Sequence, residues 1–301
     1  MKTPEHEKKG AALNSVLAAV FLTGIKIVVG ILSGSLGILA EAAHSGLDLV
    51  AAIVTYFAVS VSSKPADAEH PYGHGKIENL SALFEAILLL ATCAWIIREA
   101  VHRLATGKVD VDASIWAFGV MVISIAVDIS RSRMLLRIAI KHKSQALEAD
   151  ALHFSTDIWS SVVVLIGLGG IKLADSIPGL GFLSKADSIA ALAVALIVIW
   201  VSGRLGFRTI NELIDSAPED LAGKVKQIAE SVENVKGCHA VRVRCSGPKT
   251  FIDAHVELEG SLSLSAAHHL TDLVEEAIRK EIADADITVH AEPIEQPPPS
   301  K

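Results

Sequence analysis

The chain has 301 residues, 51% of them hydrophobic, with a mean hydropathy of +0.45 and a formal net charge of −7. That hydropathy is above what a water-soluble domain of this size carries, and the negative charge argues against a nucleic-acid partner. The three cysteines, Cys93, Cys238 and Cys245, form no CxxC pair, so neither a disulfide framework nor a cysteine-rich zinc knuckle is expected.

The first ten residues are charged, and the apolar run after them is long and lacks an A-x-A site. It reads as a membrane helix and not as a cleavable signal. Stretches long enough to span a bilayer, which takes about 20 helical residues, are expected over 11–32, 36–61, 77–104, 113–138, 147–174 and 186–207. The first two are joined only by Ser33-Gly34-Ser35 and form a tight helical hairpin. Lys and Arg concentrate on alternate connections: before the first helix, between the second and third, between the fourth and fifth, and after the sixth. The positive-inside rule then places both termini in the cytoplasm.

After Asp215 the chain turns polar and acidic. Ser216-Ala217-Pro218-Glu219 is a candidate helix start with proline in the first turn. Leu221, Val225, Ile228 and Val232 continue it as a helical stripe. Val241 and Val243 alternate with Arg242 and Arg244. Ile252, Ala254, Val256 and Leu258 alternate with Asp253, His255 and Glu257, and Gly247-Pro248 supplies the turn between the two strands. A second helix over about 265–282 and a short strand through Ile287 and Val289 complete an α-β-β-α-β order, a compact α+β unit with one sheet face covered by helices. The expected organisation is a six-helix all-α transmembrane domain over 1–210, a cytoplasmic α+β domain over 211–293 and a disordered tail over 294–301.

Two copies of one pattern carry the chemistry: His44-x-x-x-Asp48 and His153-x-x-x-Asp157, each inside an apolar stretch. Four residues make about one helical turn, so each His sits over its Asp on one face. An ionised Asp at the centre of a membrane helix costs roughly 2.5–3.5 kcal/mol on insertion scales, so such groups are retained for function. Two imidazoles and two carboxylates suit a tetrahedral divalent cation, Zn2+ first and Cd2+, Co2+, Fe2+ or Mn2+ less exclusively. The competing reading is a structural His–Asp hydrogen bond within each helix, and the matched pair of pairs argues against it.

Two further clusters stand out. Asp67, His70 and His74, interleaved with Pro71, Gly73 and Gly75, form a partial metal site or a merely solvated loop. His239, His255, His268, His269, His290 and Glu292 crowd the polar domain, as a metal-loaded regulatory site or as surface histidines. Lys26 is expected to snorkel or pair with Glu41. Glu85 and Asp128 are expected to line a wet face or pair with arginines and are not assigned to metal.

The chain resembles the cation diffusion facilitator family of divalent-metal/proton antiporters. The matching text is Gly34-Ser-Leu-Gly-Ile-Leu-Ala-Glu-Ala-Ala-His44-Ser-Gly-Leu-Asp48, Pro71-Tyr-Gly-His-Gly-Lys76 and Ala149-Asp-Ala-Leu-His153-Phe-Ser-Thr-Asp157. The resemblance implies six membrane helices, a cytoplasmic ferredoxin-like (metallochaperone-like) domain and a homodimer. It implies a transport site of His44, Asp48, His153 and Asp157 and a loop site of Asp67, His70 and His74. It also implies cytoplasmic ligands His239, His255, His268, His290 and Glu292, and a dimer-stabilising pair, Lys76 and Asp215. His44 stands where some bacterial homologues have Asp, a pattern of zinc-preferring members. Glu292 stands where Asp is usual. The expectation is a proton-coupled exporter of Zn2+ in the bacterial inner (plasma) membrane, embedded in lipid and not an enzyme. The absence of H-E-x-x-H argues against an intramembrane metalloprotease. A transport-inactive metal sensor or scaffold and a metal channel are the alternatives.

Overall fold

The computed structural model describes residues 3–106, 115–176, 183–218 and 220–294. Six long helices come first: α1 (Pro4–Ser33), α2 (Leu36–Ser62), α3 (Lys76–Thr106), α4 (Ile115–His142), α5 (Gln145–Ser176) and α6 (Leu183–Leu213). They are followed by α7 (Leu221–Glu230), β1 (Gly237–Ser246), β2 (Lys249–Leu258), α8 (Leu264–Glu281) and β3 (Ala285–Pro293). Residues 295–301, almost all of the expected tail, lie outside the described residues.

Among the described residues, four helices are long and apolar enough to cross a membrane: Pro4–Ser33, Glu41–Ser62, Lys76–His102 and Leu192–Leu213. α4 and α5 hold the charges that dilute their hydropathy, Asp128, Arg131 and Arg133 on one, Glu148, Asp150 and Asp157 on the other. These two pack on each other and on α1, with Phe154, Leu135 and Leu147 fully buried between them. Charged helices are thereby turned inward while α1 shows Leu17, Phe21, Val28 and Leu32 on its outer face.

The hairpin between α1 and α2 is as short as expected. Gly34 takes the left-handed conformation (φ 65°) that ends α1, and the Ser35 hydroxyl accepts from the Ile38 amide to start α2. At the opposite end of the bundle a buried knot ties α1, α2, α3 and the connection between α4 and α5. Lys8 pairs with Glu78 at 2.7 Å, the Ser62 hydroxyl donates to Glu78 at 2.9 Å, and the Ser144 hydroxyl donates to the other Glu78 oxygen.

The α7 start differs from the expected one. Helix geometry begins at Leu221, because Asp220 sits at φ 59° and breaks the helical run that Pro218 was expected to open. In the sheet, β2 is central, antiparallel to β1 and parallel to β3. α7 and α8 cover one face, burying Val225, Val256, Val274 and Ile278, at roughly 1.5–3 kcal/mol for each large apolar side chain. The opposite face carries the histidines.

Candidate metal centres

The first centre lies between α2 and α5. His153 Nε2 is 3.1 Å from Asp48 Oδ1 and 3.6 Å from Asp157 Oδ2. His44 Nε2 is 4.0 Å from Asp48 Oδ1 and 3.9 Å from Asp157 Oδ1. In a tetrahedral zinc site with bonds of about 2.0–2.1 Å, neighbouring ligand atoms stand about 3.3 Å apart. His44, Asp48 and Asp157 bring ligand atoms within 4.8 Å of one another, and His153 joins them through Asp48 and through the other oxygen of Asp157, so the four side chains converge on one place but must contract to close a tetrahedron. The centre is deepest at His153, whose side chain is 6% exposed, and most open at His44, at 34%. No thiol belongs to it, which disfavours a soft monovalent cation.

Glu85 on α3 is a correction to the sequence expectation. It pairs with no arginine among the described residues. It is fully buried behind His153, with Oε2 3.4 Å from His153 Nδ1, while the Thr55 hydroxyl donates to Oε1 at 3.3 Å. Packing of α3 against α5 brings it there, a proximity that no sequence spacing encodes. Asp128 does face an arginine, Arg131, at 3.8 Å, and Lys26 pairs with Glu41 at 3.4 Å while donating to Ser45 at 2.7 Å.

The second centre is the connection between α2 and α3. Asp67 Oδ1 accepts the amides of Glu69 and His70, at 3.0 and 2.7 Å, in a side-chain-capped turn. That turn brings His70 Nδ1 within 3.3 Å of Oδ1 and His74 Nε2 within 3.4 Å of Oδ2. The His70 amide, more than any other group, holds the Asp67 carboxyl below its usual range. The segment also docks on the β1–β2 hairpin. A Cβ at Gly75 would stand 2.2 Å from the Ser246 carbonyl oxygen, and Tyr72 meets Phe251 edge-on at 5.3 Å with Arg244 stacked over Tyr72 at 4.1 Å. Lys76 donates to Asp215 at 2.7 Å within the one chain, and Arg244 reaches the other Asp215 oxygen at 3.6 Å.

The third centre is on the open sheet face. Strand register sets His239, His255 and His290 side by side across β1, β2 and β3, with Glu257 and Glu292 in the adjoining row. A β-bulge makes this possible: one extra residue of β1 lies between the His239–His255 and Arg242–Asp253 pairs, with Ala240 at φ 49°. Without the bulge, strict alternation would put His239 on the same face as buried Val243. Glu292 bonds His255 Nδ1 at 2.7 Å and lies 3.0 Å from His239 Nε2, and His290 is 3.7 Å away. The His255 hydrogen bond is the main reason its carboxyl is held below the usual range. Glu257, 3.8 Å from His239, was not among the expected ligands. His268 stands apart on α8, exposed and 4.0 Å from Asp272, and His269 is likewise exposed.

Two histidines and two aspartates converging between long apolar helices, joined to an α+β domain with a histidine row, are the arrangement expected of a metal-cation transporter. Residues 12–214 match the cation efflux transmembrane domain, and residues 217–294 match the cation efflux protein cytoplasmic domain. The chain belongs to the cation efflux, or cation diffusion facilitator, family, integral membrane proteins that export divalent metal cations. It is 33% identical to the cation-efflux pump FieF of Yersinia enterocolitica over 288 residues, covering 95% of this chain and 92% of the relative. It is 30% identical to the FieF of Pectobacterium atrosepticum over 292 residues, covering 96% and 93%. A solved nickel form of the MamM CTD is 23% identical, covers 26% of this chain and 100% of that one, and gives a TM-score of 0.25.

Proposed function

We propose that the chain carries Zn2+ out of the cytoplasm in exchange for protons, across a bacterial inner membrane with both termini on the cytoplasmic side. The observation that carries this reading is the convergence of His44, Asp48, His153 and Asp157, with His–carboxylate separations of 3.1–4.0 Å, the ligand types a divalent zinc ion takes. Zinc requires neutral imidazole and ionised carboxylate, so metal and protons compete for the same atoms. Exchange at those atoms, first facing one side and then the other, couples the two fluxes and leaves both cargoes chemically unchanged, which makes this a transporter and not an enzyme.

The sheet-face cluster binds the same metal in the cytoplasm and stabilises a homodimer by mass action as zinc rises. Lys76 and Asp215, which join α3 to the end of α6 within one chain, steady the membrane halves of that dimer. The Asp67-His70-His74 turn is a weaker entry or gating site.

The test is zinc flux into proteoliposomes with internal pH recorded. An imposed pH gradient should drive zinc uphill, and Asp157→Ala should abolish the flux. Zinc that moves only down its own gradient would make the protein a channel, and intact metal binding without any flux would make it a sensor. Full flux in Asp157→Ala would remove the transport-site assignment.

A further inference from the structure

We infer that Glu85 is a positioning residue of the transport site, orienting the His153 imidazole so that Nε2 faces the metal. The inference rests on the transport reading above. His153 is approached from two sides. Asp48 and Asp157 address Nε2 from the front, at 3.1 and 3.6 Å. Glu85 addresses Nδ1 from behind, at 3.4 Å.

An imidazole that gives Nε2 to a metal carries its proton on Nδ1, and that proton needs an acceptor. Nδ1 of His153 and Oε2 of Glu85 are both sealed from solvent and 3.4 Å apart, and neither makes a hydrogen bond in this structure, to each other or to any other described group, so a small rotation of the imidazole would satisfy both at once. A buried donor left unmet costs about 1–3 kcal/mol, so the acceptor standing opposite Nδ1 is the natural one. The carboxylate is itself fixed. Thr55, from α2, donates to its other oxygen at 3.3 Å, and Thr55 and Ser81 hydroxyls lie 3.5 Å apart. The Phe154 ring, edge-on to His153 at 5.3 Å, limits the imidazole's swing.

His44 has no equivalent. Among the described residues its carboxylate neighbours all face Nε2, and its side chain is the most exposed of the four. One histidine of the site is anchored from behind, and the other is held only by the ligands it shares. Glu85 thus supplies the rigid half of the site, and α3 enters the transport machinery although it contributes no ligand.

The experiment measures initial rates of zinc uptake by proteoliposomes of the full chain, resolved into KM and kcat, for Glu85→Ala, Glu85→Gln, Thr55→Val and Asp157→Ala. Glu85→Ala should raise KM by about 10–100-fold, the usual effect of removing the outer partner of a liganding histidine. Glu85→Gln keeps an oxygen that accepts from Nδ1–H, so it should recover most of that loss. Thr55→Val, which frees the carboxylate, should raise KM by a smaller factor. A wild-type KM in Glu85→Ala, or a glutamine variant no better than alanine, overturns the inference. If the alanine variant does not fold, Thr55→Val at wild-type KM overturns it instead. Asp157→Ala separates the two readings: full flux there removes the transport site itself, whereas lost flux there with a wild-type Glu85→Ala removes only the role of Glu85.

Discussion

The Lys76 ammonium donates to the Asp215 carboxylate at 2.7 Å and to the Leu213 carbonyl at 3.1 Å, fastening the first turn of α3 to the segment that leaves α6. Both side chains are more than a third exposed, so the ion pair contributes only about 0.2–1 kcal/mol. Its effect is on position. The hydrogen bond from Lys76, reinforced by Arg244, holds the Asp215 carboxyl below its ordinary range. A depressed carboxylate contributes attraction that is fully present above its ordinary range and is lost as pH falls through the lowered value. Lys76→Ala should leave Tm nearly unchanged and increase protease cleavage around 214–220, an effect that acid below the carboxylate range should reproduce in the wild type.

Gly75→Ala should be far more damaging than its size suggests. The new methyl would meet backbone, Ser246 O at 2.2 Å, which cannot swing aside as a side chain can. Overpacking of this kind costs about 1–3 kcal/mol. Gly223→Ala, with nothing within 4 Å, is the matched control and should be neutral or stabilising. Thermal unfolding of the detergent-solubilised protein should show a lower Tm for the first variant alone.

Glu78→Ala should destabilise the whole bundle. Lys8 would be left as a buried cation without its partner, and Ser62 and Ser144 would lose their acceptor. Breaking a buried pair from one side costs about 3–5 kcal/mol. Replacing Lys8 and Glu78 together by methionine and leucine should recover much of the Tm, since the apolar pair strands no charge.

Zinc affinity of the cytoplasmic site should rise with pH, because the metal needs neutral imidazoles. Metal displaces protons from the histidines. Glu292 adds no step of its own near the ordinary carboxylate range, because it is held ionised below that range. Calorimetry in buffers of different ionisation enthalpy should count the released protons, and Glu292→Gln should lower affinity, since it removes the carboxylate that meets both His255 and His239.

His44→Asp should shift selectivity. Replacing one nitrogen of the His2Asp2 set by oxygen makes the site harder, and harder donors suit Mn2+ better relative to Zn2+. Competition by Mn2+ for zinc uptake should therefore strengthen in the variant.

Much of this was legible in the chain. Among the described residues hydropathy marks α1, α2, α3 and α6, the charges of α4 and α5 diluting theirs, and the two His-x-x-x-Asp pairs mark the candidate transport site because a charge in an apolar helix is costly enough to need a reason. What was not legible is whatever depends on one element leaning on another. Glu85 carries the same signal as Asp48, a carboxylate in an apolar helix, yet only the packing of α3 on α5 shows that it faces a histidine. His239 lies in phase with the valines of β1, and only the bulge at Ala240 turns it outward. The docking of Tyr72 and Gly75 on the β1–β2 hairpin joins residues more than 170 positions apart in sequence, a proximity that has no local trace.

The histidine row draws one residue from each strand, and its central strand pairs in opposite senses with its two neighbours. The β1–β2 hairpin alone aligns His239 with His255. β3 joins only after α8 has crossed over, and it brings both His290 and Glu292, whose carboxylate links the row. β3 is thus what completes the row: without His290 and Glu292 only the facing pair His239 and His255 would remain aligned, and the carboxylate that meets both would be gone.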